Sequence, residues 1–460
     1  MRLTLEEVLK ATGGQLASPG QSSITISGVS TDTRTIRAGD LFVPLRGPRA
    51  DGNDFIPEAF RKGAAATLVT RSEGGVHGGP AIRVPDGLRA LAGLARYYRR
   101  TLAVKVVGIT GSVGKTTTAA MCAGVLATRF SVVRTQDDWN AEIGVPLTVL
   151  GLQPDHHVAV IEMAMRGIGQ IADLVEIAQP QVGVVTNVGE AHLELLGSRD
   201  NIARAKEELI HGLPQDGTAV LNADDPFVAR MRPPRGTAIV TYGLGPSASI
   251  RAEGIVHDER GVQFTLLIAG KSARARLRAW GFHNVLNALA AAGAGTALGL
   301  GLPDIARGLE TFVPPKMRLQ PVVLEDILII NDAYNASPSS MEAAFQVLGE
   351  VAGKRRTVAV LGEMKELGAD SGRLHQEVGR SVARRRVALL VTVEQGGNQI
   401  AEGAVLSGMP AEAIIRIPSV EAAMTRVPTL IRQNDVVLVK GSRALEMERI
   451  VSALARARSA

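Results

Sequence analysis

One cysteine in 460 residues leaves no partner for an internal disulfide. Cys122 therefore reads as a packed core thiol, and no disulfide framework holds this chain together. No apolar run is long enough to span a bilayer: the longest small-apolar stretch, Ala288 to Leu302, is short and glycine-rich. Met1-Arg-Leu-Thr-Leu-Glu-Glu-Val lacks the apolar core of a signal peptide and carries acids early, so a cytoplasmic protein is expected. Internal repeats, low-complexity tracts and dense Lys/Arg runs are also missing, which argues against a solenoid, a disordered linker or a basic nucleic-acid tail. The net charge of +6, from 51 basic against 45 acidic residues, suits a small anionic substrate as well as nucleic acid and decides nothing. What remains, 45% hydrophobic and 21% charged, is an ordinary globular composition, and the length predicts two to four domains.

The most informative stretch is Val104-Lys-Val-Val-Gly-Ile-Thr-Gly-Ser-Val-Gly-Lys-Thr-Thr-Thr118. Its first half is apolar and β-branched, as a buried strand would be. Gly111 and Gly114 allow a tight loop, and Lys115-Thr-Thr-Thr opens an apolar helix that runs towards Leu126. Free N–H groups at that helix start, the helix dipole and the Lys115 charge together make a phosphate site. Ile109 stands where the usual pattern has its first glycine, so this is a variant, Gly-x-x-Gly-x-x-Gly-Lys-Thr. A glycine-rich turn with no phosphate to hold would not need Gly-Lys-Thr. The loop predicts a nucleoside triphosphate ligand, with Gly111, Ser112, Val113, Gly114, Lys115, Thr116 and Thr117 around it.

Three α/β units are expected: residues 1–84, 85–315 and 316–460. In the first, Thr4-Leu-Glu-Glu7 reads as a capping box before a helix that Gly13-Gly14 stops. Short strands are expected at Ile24–Val29, Leu41–Leu45, Thr67–Thr70 and Ala81–Val84, with a helix over Ala59–Ala66. A helix over Asp86–Arg100, with Leu88, Leu91, Leu94 and Tyr97 on its apolar face, leads into the second unit. There strands and helices are expected to alternate up to Pro315, including strands Val158–Ile161 and Val182–Thr186 and a helix start at Gly281-Phe-His-Asn. The third unit has expected strands at Ile327–Ile330, Thr357–Leu361, Ala388–Val391 and Val436–Val439, each followed by polar residues. Ligands collect at such strand ends in open parallel sheets.

Three residues stand out before any likeness is considered. Glu162 follows a strand beside the phosphate loop, where a carboxylate reaches a magnesium ion on the phosphates while Thr116 offers its hydroxyl. A solvated strand-end glutamate is the plain alternative. His192, in Gly189-Glu-Ala-His-Leu-Glu, reads alone as a loop histidine packed on its neighbours. Lys206 falls in the middle of the apolar side of a helix over Asn201–Leu213, with Ile202, Leu209, Ile210 and Leu213. A buried ammonium needs a partner or must lose its charge, unless the chain snorkels to the helix edge.

Thr110-Gly-Ser-Val-Gly-Lys-Thr-Thr, Asn140-Ala-Glu-Ile-Gly-Val-Pro, Thr186-Asn-Val-Gly-Glu-Ala-His-Leu-Glu and Gly281-Phe-His-Asn-Val-Leu-Asn-Ala resemble the Mur ligases of peptidoglycan synthesis, in the family's order. Asn331-Asp-Ala-Tyr-Asn-Ala-Ser-Pro-Ser-Ser-Met341, Leu361-Gly-Glu-Met-Lys-Glu-Leu-Gly and Leu438-Val-Lys-Gly-Ser-Arg resemble the member that adds a terminal D-alanyl-D-alanine. The resemblance implies a small N-terminal UDP-binding unit, a central mostly parallel ATPase sheet and a C-terminal Rossmann-like domain. It implies an ATP-dependent amide ligase that joins D-alanyl-D-alanine to a UDP-N-acetylmuramoyl-tripeptide through an acyl phosphate. A monomer without nucleic-acid or membrane partners is expected.

The resemblance also assigns roles. Lys115, Lys206, His192 and Arg318 would be catalytic, with magnesium held by Thr116, Glu162, His192 and a carbamate on Lys206. For His192 this replaces the reading as a packed loop residue. Asn284 and Asn287 would meet adenine, Asp332 the ribose, Arg318 a phosphate, with Asn335 nearby. Ser30, Thr31, Asp32 and Arg34 would hold the UDP end, and Asn140, Tyr334, Lys440 and Ser442 the peptide side. The chain departs from the pattern at Asn53, Asp138, Ala141 and Ala164. Rival readings are the tripeptide-forming sister ligase, a folylpolyglutamate-synthase-like enzyme and a nucleotide-binding module without turnover.

Overall fold

Val106 and Val107 sit side by side in the strand Lys105–Thr110, and both are wholly buried. Their side chains enter different cores, one on each face of the central sheet. A parallel strand covered by helices on both faces requires that pattern, and it explains the unbroken apolar run in the sequence. The computed structural model describes residues 1–17, 24–48, 50–71, 78–136, 138–258, 261–324 and 326–459. Among them the central sheet runs in the order Lys271–Leu277, Gly261–Ile268, Ile250–Asp258, Ala238–Gly243, Thr218–Asn222, Val182–Val185, Lys105–Thr110, Val158–Glu162, Val132–Arg134. The phosphate-loop strand thus lies between Val182–Val185 and Val158–Glu162, parallel to both, and all three C-terminal ends meet.

The expected alternation of strand and helix fails over Ile250–Leu277. Three antiparallel strands follow one another there and extend the sheet at one edge. Leu277 consequently closes a strand, and the helix begins at Phe282. Helix Gly87–Arg99 is present with Asp86 as its cap, but Leu88 is exposed and Tyr98, not Tyr97, is buried. The buried face repeats as Gly87, Leu91, Leu94, Tyr98, one residue out of phase with the expected start.

The N-terminal sheet holds Gln15–Leu16, Ala81–Arg83, Ala66–Val69, Asp40–Phe42 and Gly28–Ser30, parallel except at its first member. The capping box forms, with Glu7 N–H donating to Thr4 Oγ1 and Thr4 N–H to Glu7 Oε2, and Gly13 ends the helix in the left-handed region. Two expectations shorten: the helix near Ala59 covers Ile56–Arg61 only, and the strand near Ile24 divides into Thr25–Ile26 and Gly28–Ser30. The C-terminal sheet runs Gln320–Val323, Leu328–Asp332, Val436–Lys440, Thr357–Leu361, Leu389–Val393, Ile414–Ile417, and only the first is antiparallel. Its C-terminal strand ends face those of the central sheet across a cleft of about 860 Å³.

Candidate active site

The phosphate loop is shaped from behind. A Cβ on Gly111 would lie 1.8 Å from Thr186 Oγ1, and one on Gly114 would lie 2.5 Å from Asn287 Oδ1. Both glycines also have positive φ, so no other residue fits either position. Asn187 braces the loop twice, accepting from Val113 N–H and donating to Val113 C=O, each at 2.9 Å. Helix Lys115–Leu126 then begins without a side-chain cap, leaving its first N–H groups to the cleft. Lys115 folds back on Gly111 C=O at 2.8 Å, and burial lowers its pKa against the pull of Glu162.

Glu162 is the last residue of its strand and is buried. Its carboxylate accepts from Thr116 Oγ1 at 2.8 Å and from Asn140 Nδ2 at 2.9 Å. A carboxylate and a hydroxyl beside a phosphate loop are hard oxygen donors of the kind magnesium takes, so these residues fit that ion. Among the described residues no group of three acidic, His or Cys side chains is gathered for a metal, so the remaining ligands have to come from phosphates or other groups. His192 lines the same cleft in a left-handed conformation, φ 65°. Its Nδ1 lies 3.0 Å from Glu366 Oε2 of the C-terminal domain, but the N–H does not point at that oxygen, so the contact is electrostatic. Burial first, then Lys115 and Lys206, lower its pKa, while Glu366 opposes them.

Lys206 is 2% exposed on helix Arg199–His211, flanked by buried Ile202, Ala205, Leu209 and Ile210. Snorkelling is therefore ruled out. Burial drives its pKa well below the ordinary lysine value, the like charge of Lys115 adds to this, and among the described residues no carboxylate offsets either. Lys206 stands behind the wall of the cleft, not on it.

The opposite wall comes from the C-terminal domain. Arg318 lies with its guanidinium 3.9 Å from the centroid of the Tyr334 ring. Asp332 accepts from Leu319 N–H at 3.0 Å and from Lys440 Nζ at 2.6 Å, and Lys440 also donates to Asn335 C=O. Lys440 is thus engaged by its own domain. Ser442 Oγ accepts from Lys365 N–H, fixing the Gly362–Glu366 loop. Asn284, Asn287 and Asn335 complete the lining, with Asn287 tied to Thr118 Oγ1 and Asn284 to Trp280 C=O.

Ser30, Thr31, Asp32 and Arg34 stay outside this cleft, on the N-terminal domain. There Ser30 Oγ donates to Asp32 C=O, and Arg34 pairs with Asp32 at 2.6 Å in an exposed turn. Sequence reasoning assigned no role to Glu366, His283 or Asp225, all of which line the cleft. Two of them carried a signal, Glu366 by its place in the Leu361–Gly368 run and His283 by its place in the Gly281–Ala288 run; Asp225 carried none.

Sequence profiles match three stretches: Mur ligase family, catalytic domain, over 25–99; Mur ligase middle domain over 109–295; and Mur ligase, glutamate ligase domain, over 317–443. The UDP-N-acetylmuramoyl-tripeptide–D-alanyl-D-alanine ligase of Bacillus subtilis is 37% identical, over 99% of this chain and 98% of its own length. A crystal structure of MurF from Acinetobacter baumannii overlays with a TM-score of 0.92 at 32% identity, covering 99% of each chain. MurF from Thermotoga maritima in complex with ADP gives 0.83 at 29%, over 94% of this chain and 98% of that one. Phosphate loop, cleft and full-length likeness agree, and the chain belongs to the Mur ligase family.

Proposed function

We infer that this chain is the ATP-dependent ligase that joins D-alanyl-D-alanine to UDP-N-acetylmuramoyl-tripeptide, a step of peptidoglycan synthesis. One observation carries the reading: a phosphate loop with Lys115 faces Arg318 across a cleft closed by a second domain. The tripeptide's terminal carboxylate attacks the γ-phosphorus of ATP, an O–P bond forms, and the bond to ADP breaks. The amine of the dipeptide then attacks the carbonyl carbon of the acyl phosphate, loses a proton, and inorganic phosphate leaves. Two anions meet in the first step, and Lys115 and Arg318 screen them from opposite sides. Magnesium, held by Thr116, Glu162 and His192, supplies further positive charge there when bound.

We also propose that Lys206 carries a carbamate. The neutral amine that burial favours adds to carbon dioxide, an N–C bond forms and one proton is released. That converts a buried amine, whose charge no described carboxylate matches, into a carboxylate able to serve the metal. The same reading gives residues 1–84 to the UDP end, 85–315 to ATP and 316–460 to the dipeptide, in a monomer acting in the cytoplasm. Mass analysis after incubation with ATP and each UDP-peptide tests the assignment. Phosphate release should require both the UDP-tripeptide and D-alanyl-D-alanine. Equal turnover with a UDP-dipeptide and one amino acid would move the chain to the sister ligase.

A further inference from the structure

Arg318 is held with unusual care. Both of its neighbours, Met317 (φ 58°) and Leu319 (φ 49°), adopt the left-handed backbone that residues with a side chain avoid. Three bonds keep this turn in place: Met317 N–H to Gln320 Oε1 at 3.0 Å, Leu319 N–H to Asp332 Oδ1 at 3.0 Å, and Tyr334 N–H to Met317 C=O at 3.1 Å. The guanidinium itself forms no ion pair at bonding distance among the described residues, although Glu162, Asp332 and Asp138 all act on its charge. It rests on the face of Tyr334. The Tyr334 hydroxyl in turn donates to Asp138 Oδ1, which belongs to the central domain. Asp138 is one of the positions where the sequence departs from the family pattern.

We propose that Asp138 and Tyr334 form an interdomain latch that positions Arg318, so that domain closure and placement of the guanidinium are one event. Tyr334 acts through Arg318. It is a positioning residue, and the dipeptide contact expected from resemblance is not its main role. A ring face attracts a guanidinium wherever the ring goes, and the hydroxyl decides where the ring goes. The cation therefore reaches the Glu162 side of the cleft only when Asp138 has accepted the bond. The kinetic part of this inference rests on the ligase reading, and the structural part needs only the two domains.

The test uses Tyr334→Leu, Tyr334→Phe, Asp138→Ala and the Tyr334→Phe/Asp138→Ala double variant. Tyr334→Leu loses ring and hydroxyl and should lower kcat about thirty-fold, with the dipeptide KM changed less than about two-fold. Tyr334→Phe keeps the ring and Asp138→Ala keeps the tyrosine, and each should cost about five-fold. The double variant should be no worse than either single, because both remove one bond. Spin labels on Gln153→Cys and Glu412→Cys, both exposed while Cys122 is buried, report the interdomain distance with a non-hydrolysable ATP analogue. Asp138→Ala should lengthen or broaden that distance. Additive losses, an effect of Tyr334→Leu confined to the dipeptide KM, or an unchanged distance would each overturn the latch. Wild-type protein that makes no product, while Asp138→Ala still lengthens the distance, would keep the latch and remove the ligase reading.

Discussion

Two lysines in this chain are each 2% exposed, Lys206 in the central domain and Lys440 in the C-terminal domain. Lys440 donates to the Asp332 carboxylate at 2.6 Å and to a backbone carbonyl at 2.8 Å, so its charge is matched and hydrogen-bonded. Lys206 has burial and a second lysine acting against its charge, and among the described residues no carboxylate to answer them. Equal burial thus hides opposite chemistry. A matched cation is architecture, and here it sets the Asp332 carboxylate that holds the Arg318 turn. An unmatched one is driven towards the neutral amine, the form that reacts.

The largest effect expected from this contrast is at Lys206. Lys206→Ala should fold and lose about a thousand-fold in turnover, as removal of a key electrostatic group does. Acetate at high concentration should restore part of the rate by entering the void. Lys206→Arg fills the space with the wrong charge and should not respond. A fully active Lys206→Ala enzyme, or no signal from labelled carbon dioxide on the wild-type lysine, would leave the two lysines chemically alike.

Arg318→Ala comes next, with an expected loss of several hundred-fold in turnover. ATP affinity of the central domain should change little, since the phosphate loop is built and braced there. A chain ending at residue 313 that ligates normally would show that the C-terminal cation is dispensable.

The two halves were also unequally legible in the sequence. The phosphate loop, Glu162 and Lys206 are local patterns: a glycine spacing, a strand end, a helical period. Each could be read without knowing what packs against it. Arg318 could not, because its turn has no periodicity and is fixed by Asp332, whose carboxylate approaches from another strand. Its role came from resemblance alone. The contact of His192 with Glu366 joins two left-handed residues from different domains, which no local rule anticipates. The antiparallel strands over Ile250–Leu277 were readable in principle. Ala273, Ala275 and Leu277 alternate with Arg274 and Arg276, a period of two that marks a strand with one covered face.

Lys440→Met tests the architectural side. It strands Asp332 in a buried place with one N–H donor, and unfolding by denaturant should show a loss of about 3 kcal/mol. Adding Asp332→Asn should recover most of that, because the uncompensated charge goes. A loss within about 0.5 kcal/mol of zero would mean that Lys440 needs no partner either.

The smallest effect belongs to His283, which lies on the cleft between the two halves. Burial is the main cause that lowers its pKa to about 4, Asp332 pulls upward, and Lys440 pushes downward. The unfolded chain has an ordinary histidine near 6.5. Between those values the unfolded state holds a proton that the folded state lacks, so stability falls as pH drops from 6.5 towards 4. Below about 4 both states are protonated and the loss stops growing. The whole shift would be worth about 3 kcal/mol, but the side chain is partly exposed on the cleft, so about 1 kcal/mol is expected. His283→Gln should flatten the stability profile by that amount over this range alone. Lys440→Met should flatten it too, since Asp332 acting unopposed raises the His283 pKa towards its unfolded value. If His283→Gln keeps the wild-type slope, the imidazole is not the group that titrates there, and if Lys440→Met steepens it, the Lys440–Asp332 pair is not what the imidazole feels.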